Sequence, residues 1–215
     1  MRIISGREKG RKLFTPPLHN KSIRPTSDRA REALFNILGK AVEGAKVLDL
    51  FAGTGAMGLE AFSRNAGLVV FVDNSPLALH LIKRNINHCL HNYTGNCQLR
   101  VINHDLSQNL PLRSFPREAE WGYNLIFADP PYGKDISLSV LSSIDRNSIL
   151  ARSGTLIIEE RATTTLPDKL PHLCLIDKRT YGECGFWLYQ PIELHDVVSQ
   201  QEPISTPLTE KNCKP

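Results

Sequence analysis

The chain has 215 residues, 41% hydrophobic and 22% charged, which fits one α/β domain of ordinary size with a small extension. No stretch approaches the roughly 18 uninterrupted apolar residues of a membrane helix, and the first residues lack the apolar run of a secretory signal. Five cysteines without a CxxC pair argue against a disulfide framework or a zinc site. We therefore expect a cytoplasmic protein with reduced thiols, no membrane partner and no metal.

The net charge of +4 is unevenly distributed along the chain. Residues 1–31 hold nine basic and two acidic side chains, which gives this segment +7 and leaves −3 for the remainder. A basic arm on a mildly acidic body predicts a polyanionic partner that is contacted mainly through the N-terminus, and a solvated basic tail is the alternative. The bases that we single out as contacts are Arg2, Arg7, Arg11, Lys12, Arg24 and Arg29.

Two elements are predicted before residue 40. Residues 2–6 and 11–14 are short extended segments, and Gly10 can supply the positive φ of a hairpin turn between them. After Arg24-Pro25, Thr26 or Ser27 can cap a helix. Its predicted apolar face is Ala30, Ala33, Leu34, Ile37 and Leu38. Arg24, Arg29 and Arg31 need not share that face, which would leave their guanidinium groups available for phosphates.

From residue 46 onward, strand and helix patterns alternate. Strands are predicted at 47–51, 68–73, 97–102, 124–128 and, after a turn at Ser153-Gly154, at 155–158. Helices are predicted at 56–64, 76–92 and 137–149, and 173–181 with 186–190 form a closing antiparallel pair. This rhythm predicts an α/β fold with a doubly wound, mostly parallel sheet. We expect Glu159-Glu160 to be a solvated strand end.

The predicted domain organisation has three parts. Residues 1–40 are expected to form the basic extension, and residues 41–192 the α/β domain. Residues 193–215 are polar after 198, with three prolines and no periodicity, and are expected to be disordered.

A glycine-rich turn follows the first predicted strand of the sheet. Gly53-Thr54-Gly55-Ala56-Met57-Gly58 matches G-x-G-x-x-G, and Asp73 lies 20 residues after Gly53. Taken alone, this pattern fits a methyl-donor site, a dinucleotide site or a structural turn. Asp49 weighs against a dinucleotide, because its carboxylate before the turn would repel a pyrophosphate and favour a cationic amino-acid group.

A second motif, Asp129-Pro130-Pro131-Tyr132, directly follows the buried strand pattern at 125–127. Ligands of open α/β sheets bind at the carboxyl ends of the strands, so both motifs are expected at one edge. No hydride-transfer chemistry calls for this second motif, and a stiff surface turn is its structural alternative.

The two motifs together resemble the class I S-adenosylmethionine-dependent amino-methyltransferases. Arg2-Ile3-Ile4-Ser5-Gly6, Arg24-Pro25-Thr26-Ser27-Asp28-Arg29, the segment 31–38 and Tyr181-Gly182 are more particular. They resemble the RsmD family, which methylates the exocyclic 2-amino group of a guanine in 16S ribosomal RNA of the small subunit. The resemblance covers about residues 1–190.

The resemblance implies a seven-stranded Rossmann-like sheet with the last strand antiparallel. It implies S-adenosyl-L-methionine as the cofactor, held by Asp49, Phe51, Gly53 and Gly55, with Asp73 on the ribose and Asp105 on the adenine amino group. The basic residues of the extension would contact small-subunit ribosomal RNA, in an assembled or assembling subunit.

The chemistry of a base amine explains the second motif. Its lone pair is delocalised into the ring, so catalysis needs acceptors that draw the N–H bonds and direct the nitrogen toward the methyl group. The Asp129 carboxylate and the Pro130 carbonyl can accept, Pro131 stiffens the turn, and Tyr132 can stack on an extruded base. A DNA adenine-amino methyltransferase and a non-catalytic RNA-binding factor on the same fold are the alternatives.

Overall fold

The computed structural model of the chain describes residues 1–17, 28–91, 93–131 and 136–192. The helices are α1 Asp28–Leu38, α2 Ala56–Ser63, α3 Pro76–Leu90 and α4 Ile136–Asn147. The strands are β1 Lys46–Leu50, β2 Leu68–Asp73, β3 Gln98–Asn103, β4 Tyr123–Ala128, β5 Leu150–Arg161, β6 Leu173–Tyr181 and β7 Cys184–Pro191. Within these ranges, no helix is long and apolar enough to cross a bilayer.

The seven strands form one sheet in the order β3-β2-β1-β4-β5-β7-β6. Strands β1 to β5 pair in parallel, and β7 is antiparallel to both of its neighbours. The predicted fold class, a mostly parallel seven-stranded sheet with an antiparallel last strand, is confirmed. Because the order reverses between β1 and β4, the carboxyl ends of these two strands flank the position where such sheets bind ligands.

Alternate residues of the strands pack against two different layers of helices. Val47, Phe71 and Phe127 face a core layer that includes α1, α2 and α3. Leu48 and Ile126 face the opposite layer, which is formed by α4 and the connection between β3 and β4. Each layer excludes water from one face of the central strands, which is why β1, β2 and β4 are mostly apolar and buried.

The N-terminal segment forms the predicted hairpin and packs on the first layer. The Ile3 amide donates to the Arg11 carbonyl at 2.9 Å, and the Gly10 amide donates to the Ile3 carbonyl at 2.9 Å. Gly10 has the expected positive φ of 82°. Ile3 and Leu13 are buried in the same core layer as α2, so the hairpin is part of the folded body.

The predicted buried face of α1 is wrong at three positions. Ile37 is exposed, whereas Phe35 and Arg31 are fully buried. The Arg31 Nη2 donates to the Arg2 carbonyl at 2.5 Å and to Asp28 Oδ1 at 3.0 Å, and its Nε lies 3.9 Å from Glu60 Oε2. The hairpin covers this side of the helix, so Arg31 is not available for phosphates.

The fifth strand is longer than predicted, because it begins at Leu150 and continues through the expected turn at Ser153-Gly154. The pairing register of β5 with β4 shifts between Tyr123 and Leu125 of β4. This irregularity accommodates Gly154 without ending β5.

The prediction of a solvated strand end is also wrong, since Glu159 and Glu160 are both buried. The Cys184 thiol donates to Glu159 at 3.1 Å, and the Ser137 hydroxyl donates to Glu160 at 2.6 Å.

Some predictions fall on residues outside the described ranges. These are the helix cap at Thr26 or Ser27, the contact residue Arg24, the stacking residue Tyr132 and the tail at 193–215.

Candidate active site

The parallel register places the two sequence motifs side by side. Leu50 of β1 pairs with Ala128 of β4, so each motif leaves the sheet at the same level. The Asp129 amide donates to the Leu50 carbonyl at 3.4 Å, which extends this pairing by one residue. The glycine turn and the Asp-Pro-Pro segment therefore begin on adjacent strand ends.

The glycine turn has the left-handed backbone that its sequence permits. Gly53 has φ 56° and Gly55 has φ 76°, a region that glycine enters at little cost. Phe51 also has a positive φ, 58°, which is costly for a bulky residue and common at ligand sites. The Gly55 amide donates to the Ala52 carbonyl at 2.7 Å, which closes the turn.

Asp73 at the end of β2 supports this turn directly. Its Oδ2 accepts from the Gly53 amide at 2.9 Å, and its Oδ1 accepts from the Ser75 amide at 2.8 Å. Each carboxylate oxygen keeps a further lone pair for a ligand hydroxyl. Asp73 can therefore shape the glycine turn and bind a ribose at the same time.

Gly58, the third glycine of the motif, has a packing role. A Cβ built on Gly58 would lie 2.3 Å from Phe71 Cε1, so only glycine lets α2 approach β2 this closely. The Gly58 amide donates to Asp49 Oδ2 at 2.9 Å. The close approach of the helix thus supplies the hydrogen bond that holds Asp49 in place.

Burial changes the protonation of Asp49. It raises the pKa of this carboxyl to about 8, the charge of Asp73 adds to the increase, and the hydrogen bond from Gly58 opposes it. Without a ligand, Asp49 is therefore largely protonated at neutral pH. A cationic ligand group beside it would favour the charged form and release the proton.

Replacing Asp49 by Asn is expected to stabilise the unliganded protein by an amount that grows as the pH rises toward 8. The folded pKa of about 8 lies above the usual 3.8, so between these values the folded state holds a proton that the unfolded chain has lost. As the pH rises, the wild type therefore loses stability, whereas the neutral Asn variant does not. Thermal unfolding at about pH 5 and about pH 8 measures this difference. A difference in Tm that stays constant or shrinks toward pH 8 would contradict it, and Asp168→Asn on the surface is the control.

A cleft of about 290 Å³ opens at this edge of the sheet. Its walls include Phe51, Asp73, Asp105, Pro131 and Ile136, so four of the residues predicted from sequence meet in one cavity. Hydrogen bonds from the Ser107 hydroxyl and amide hold the pKa of Asp105 below its usual value, which keeps it an acceptor. Of the adjoining residues, Asp129 is half-buried, Pro130 is buried and Pro131 is exposed.

The basic residues of the extension fall into two groups. Arg2, Lys12 and Arg29 are exposed. Arg7 donates to the Phe62 carbonyl at 3.0 Å and lies over the ring of Tyr93, while Arg11 pairs with Glu8 and donates to the His88 carbonyl. The first group can meet an anionic partner, although Arg2 Nε also lies 3.9 Å from Asp28 Oδ2, whereas the second group also fastens the hairpin to the body.

Sequence reasoning missed two buried polar residues behind the glycine turn. Asn85 of α3 donates to the Thr54 carbonyl at 2.9 Å and exchanges hydrogen bonds with the amide and carbonyl of Phe14. Glu60 of α2 accepts from the amides of Ile4 and Ser5 at 2.7 and 3.0 Å. The available signal was a single polar residue inside the apolar stripe of each helix.

Comparison with known proteins identifies the family. The model of the RsmD family, described as conserved hypothetical protein 95, matches residues 1–190. The chain belongs to the RsmD family. The fold and the S-adenosylmethionine-dependent methyltransferase class that the sequence resemblance implied are thereby confirmed.

Three relatives illustrate the match of this RsmD-family chain. YlbH of Bacillus subtilis is 34% identical over 190 residues, which are 88% of this chain and 98% of YlbH. Ribosomal RNA small subunit methyltransferase D of Escherichia coli is 31% identical over 190 residues, 88% of this chain and 89% of the relative. The solved structure of the Escherichia coli yhhF protein is 31% identical, covers 89% of this chain and 97% of its own, and has a TM-score of 0.69.

The cofactor of this family member is S-adenosylmethionine, and its chemistry fits residues that line the cleft together with the buried Asp49. Asp73 would hold the ribose hydroxyls, Asp105 would accept from the adenine amino group, and Asp49 would pair with the methionine ammonium. The left-handed turn through Gly53 and Gly55 keeps side chains away from the path of the ligand. In their charged forms these carboxylates only accept hydrogen bonds, as a ligand rich in N–H and O–H donors requires.

Proposed function

We propose that this chain transfers a methyl group from S-adenosylmethionine to the exocyclic 2-amino group of a guanine in small-subunit ribosomal RNA. The observation that carries the proposal is the pairing of Leu50 with Ala128, which sets the donor turn beside the Asp-Pro-Pro segment. The name of the Escherichia coli relative, ribosomal RNA small subunit methyltransferase D, supports the choice of substrate. The segments quoted above as particular to the RsmD family support the guanine amine.

The residues at the second strand end activate the base amine. When bound, S-adenosylmethionine supplies an electrophilic methyl group on a sulfonium. The Asp129 carboxylate and the Pro130 carbonyl each accept a hydrogen bond from one of the two N–H groups of the amine. These hydrogen bonds hold the nitrogen in line with that methyl group. Asp129 also stabilises the positive charge that develops on the nitrogen during transfer, after which the amine loses a proton. Tyr132, which follows the described segment, is proposed to stack on the base.

A transfer assay tests this function. The wild-type protein is supplied with donor labelled in its methyl group and with unmodified small ribosomal subunits, naked small-subunit RNA or duplex DNA. Label is expected in the ribosomal RNA and not in the DNA. Transfer to adenine in DNA would support the adenine-amino alternative, and binding of RNA without any transfer would support a non-catalytic factor.

The exposed bases of the extension, residues 1–40, are proposed to contact the RNA. The triple substitution of Arg2, Lys12 and Arg29 by Ala is expected to weaken RNA binding and to reduce its salt dependence by about 0.7–0.9 per lost phosphate contact. Point substitutions are preferable to truncation, since deletion would remove Ile3 and Leu13 from the core.

Binding titrations over a range of salt concentrations measure this change. The control uses three other exposed bases, Arg117, Arg152 and Lys169. Arg117 precedes β4, Arg152 lies near the start of β5 and Lys169 precedes β6. All three are therefore at the amino ends of these strands, opposite the edge that holds the cleft. The matching triple Ala variant of these residues should retain the wild-type salt dependence. If the two triple variants have the same slope, the extension does not contact the RNA.

A further inference from the structure

A second, larger depression lies beside the donor cleft. It has a volume of about 710 Å³ and runs between α4 and the connection that follows β3. We call it the α4 groove and define it by six of its polar lining residues, His104, Asn109, Arg113, Ser114, Arg146 and Asn147. Apart from His104, none of these residues lines the donor cleft.

The α4 groove adjoins the donor cleft. His104 lines both cavities, so it forms the wall between them. Its amide donates to the Asp73 carbonyl at 3.1 Å, and its Nε2 lies 3.0 Å from the Asn109 carbonyl oxygen and 2.9 Å from the Asn109 Oδ1. These bonds hold the wall in place, so a molecule that leaves the cleft over His104 enters a preformed groove.

The lining of the α4 groove suits a polyanion. Arg113 and Arg146 are exposed, and within the described ranges neither guanidinium forms an ion pair or a hydrogen bond. No Asp or Glu is among the lining residues. Arginine, serine and asparagine are the side chains that contact the phosphates and sugars of nucleic acids, and arginine binds phosphate through two donors.

The position of the α4 groove complements that of the N-terminal hairpin. Leu110 beside the groove and Val140 of α4 belong to one core layer, while Ile3 and Leu13 of the hairpin belong to the other. The groove and the hairpin therefore lie on opposite faces of the sheet, with the donor cleft at the edge between them. A strand that presents a base to the cleft can be held on both sides of that edge.

We propose that the α4 groove binds the sugar–phosphate backbone of the substrate RNA next to the nucleotide that enters the cleft. This assignment rests on the proposed function, and it adds a second anionic contact to the hairpin. The guanidinium groups of Arg113 and Arg146 neutralise phosphates, while Asn109, Ser114 and Asn147 offer hydrogen bonds to sugar hydroxyls. The contact fixes the register of the RNA over the cleft without reading its sequence.

The double variant Arg113→Ala/Arg146→Ala tests this surface. Its KM for unmodified small-subunit RNA is expected to rise several-fold with kcat little changed, and the salt slope of RNA binding to fall by about one per arginine. Its affinity for S-adenosylmethionine should equal that of the wild type, because neither arginine lines the donor cleft. The control is Arg117→Ala/Arg152→Ala, which removes two exposed bases outside the groove.

Three outcomes separate the possibilities. An unchanged KM and salt slope in the double variant, alongside normal transfer by the wild type, would overturn the groove while leaving the proposed function intact. A defect on assembled subunits but not on naked RNA would overturn it in favour of a ribosomal-protein contact. Absence of methyl transfer by the wild type itself would instead count against the proposed function, and RNA binding by the variants would still report on the groove.

Discussion

Replacing Asp129 by Ala is expected to lower kcat by about 10²- to 10⁴-fold, the range for loss of a positioned acid–base or charge-stabilising group. Its carboxylate is proposed to accept a hydrogen bond from the amine and to stabilise the positive charge that develops on the nitrogen. Affinity for S-adenosylmethionine should be almost unchanged, because the cleft walls that would hold the donor do not include Asp129. Single-turnover transfer and donor titration measure the two quantities separately.

Asp129→Asn refines this test. The amide keeps one acceptor oxygen but loses the negative charge, so its rate should lie between those of the wild type and of the Ala variant. Asp168→Ala, a surface carboxylate before β6, is the control and should transfer at the wild-type rate. Near-normal transfer by Asp129→Ala would remove Asp129 from the catalytic residues.

Replacing Asp73 by Asn is expected to weaken donor binding by about 100-fold, as the loss of one or two hydrogen bonds to a charged acceptor would. The two oxygens of Asp73 accept from the Gly53 and Ser75 amides, and an Asn side chain would set its NH₂ group against one of these donors. The substitution therefore disturbs both the ribose contact and the glycine turn.

Calorimetric titration with S-adenosylmethionine measures the effect of Asp73→Asn, and RNA binding should not change. Asp177→Asn is the matched control, because Asp177 pairs with Arg179 on the outer strand β6. A donor affinity equal to that of the wild type would show that Asp73 is not the ribose acceptor.

The sequence was most informative where local pattern and chemistry coincide. The buried strands before Phe51 and Asp129 were evident from their apolar residues, and parallel pairing then puts both motifs at one edge. The glycines marked a turn that needs a left-handed backbone, which Gly53 and Gly55 adopt. Periodicity and residue type were sufficient because these features depend on neighbours in the chain.

The failures involve contacts between segments far apart in sequence. Arg31 is buried because the hairpin, some 29 residues earlier, covers it and accepts its hydrogen bond. Asn85 donates a hydrogen bond to the Thr54 carbonyl 31 residues away, and Glu60 accepts hydrogen bonds from amides 55 and 56 residues away. The α4 groove likewise arises where a loop meets a helix about 30 residues later, so no local pattern announces it.

The most direct test of the proposed chemistry is to identify the methylated nucleoside. Small ribosomal subunits that lack the modification are incubated with the wild-type protein and labelled S-adenosylmethionine, and the RNA is digested and separated by mass spectrometry. We expect the label in N2-methylguanosine and its loss with Asp129→Ala. Label in N6-methyladenosine, on a ribose hydroxyl or on a ring carbon would contradict the meeting of a guanine amine and a sulfonium methyl at these two strand ends.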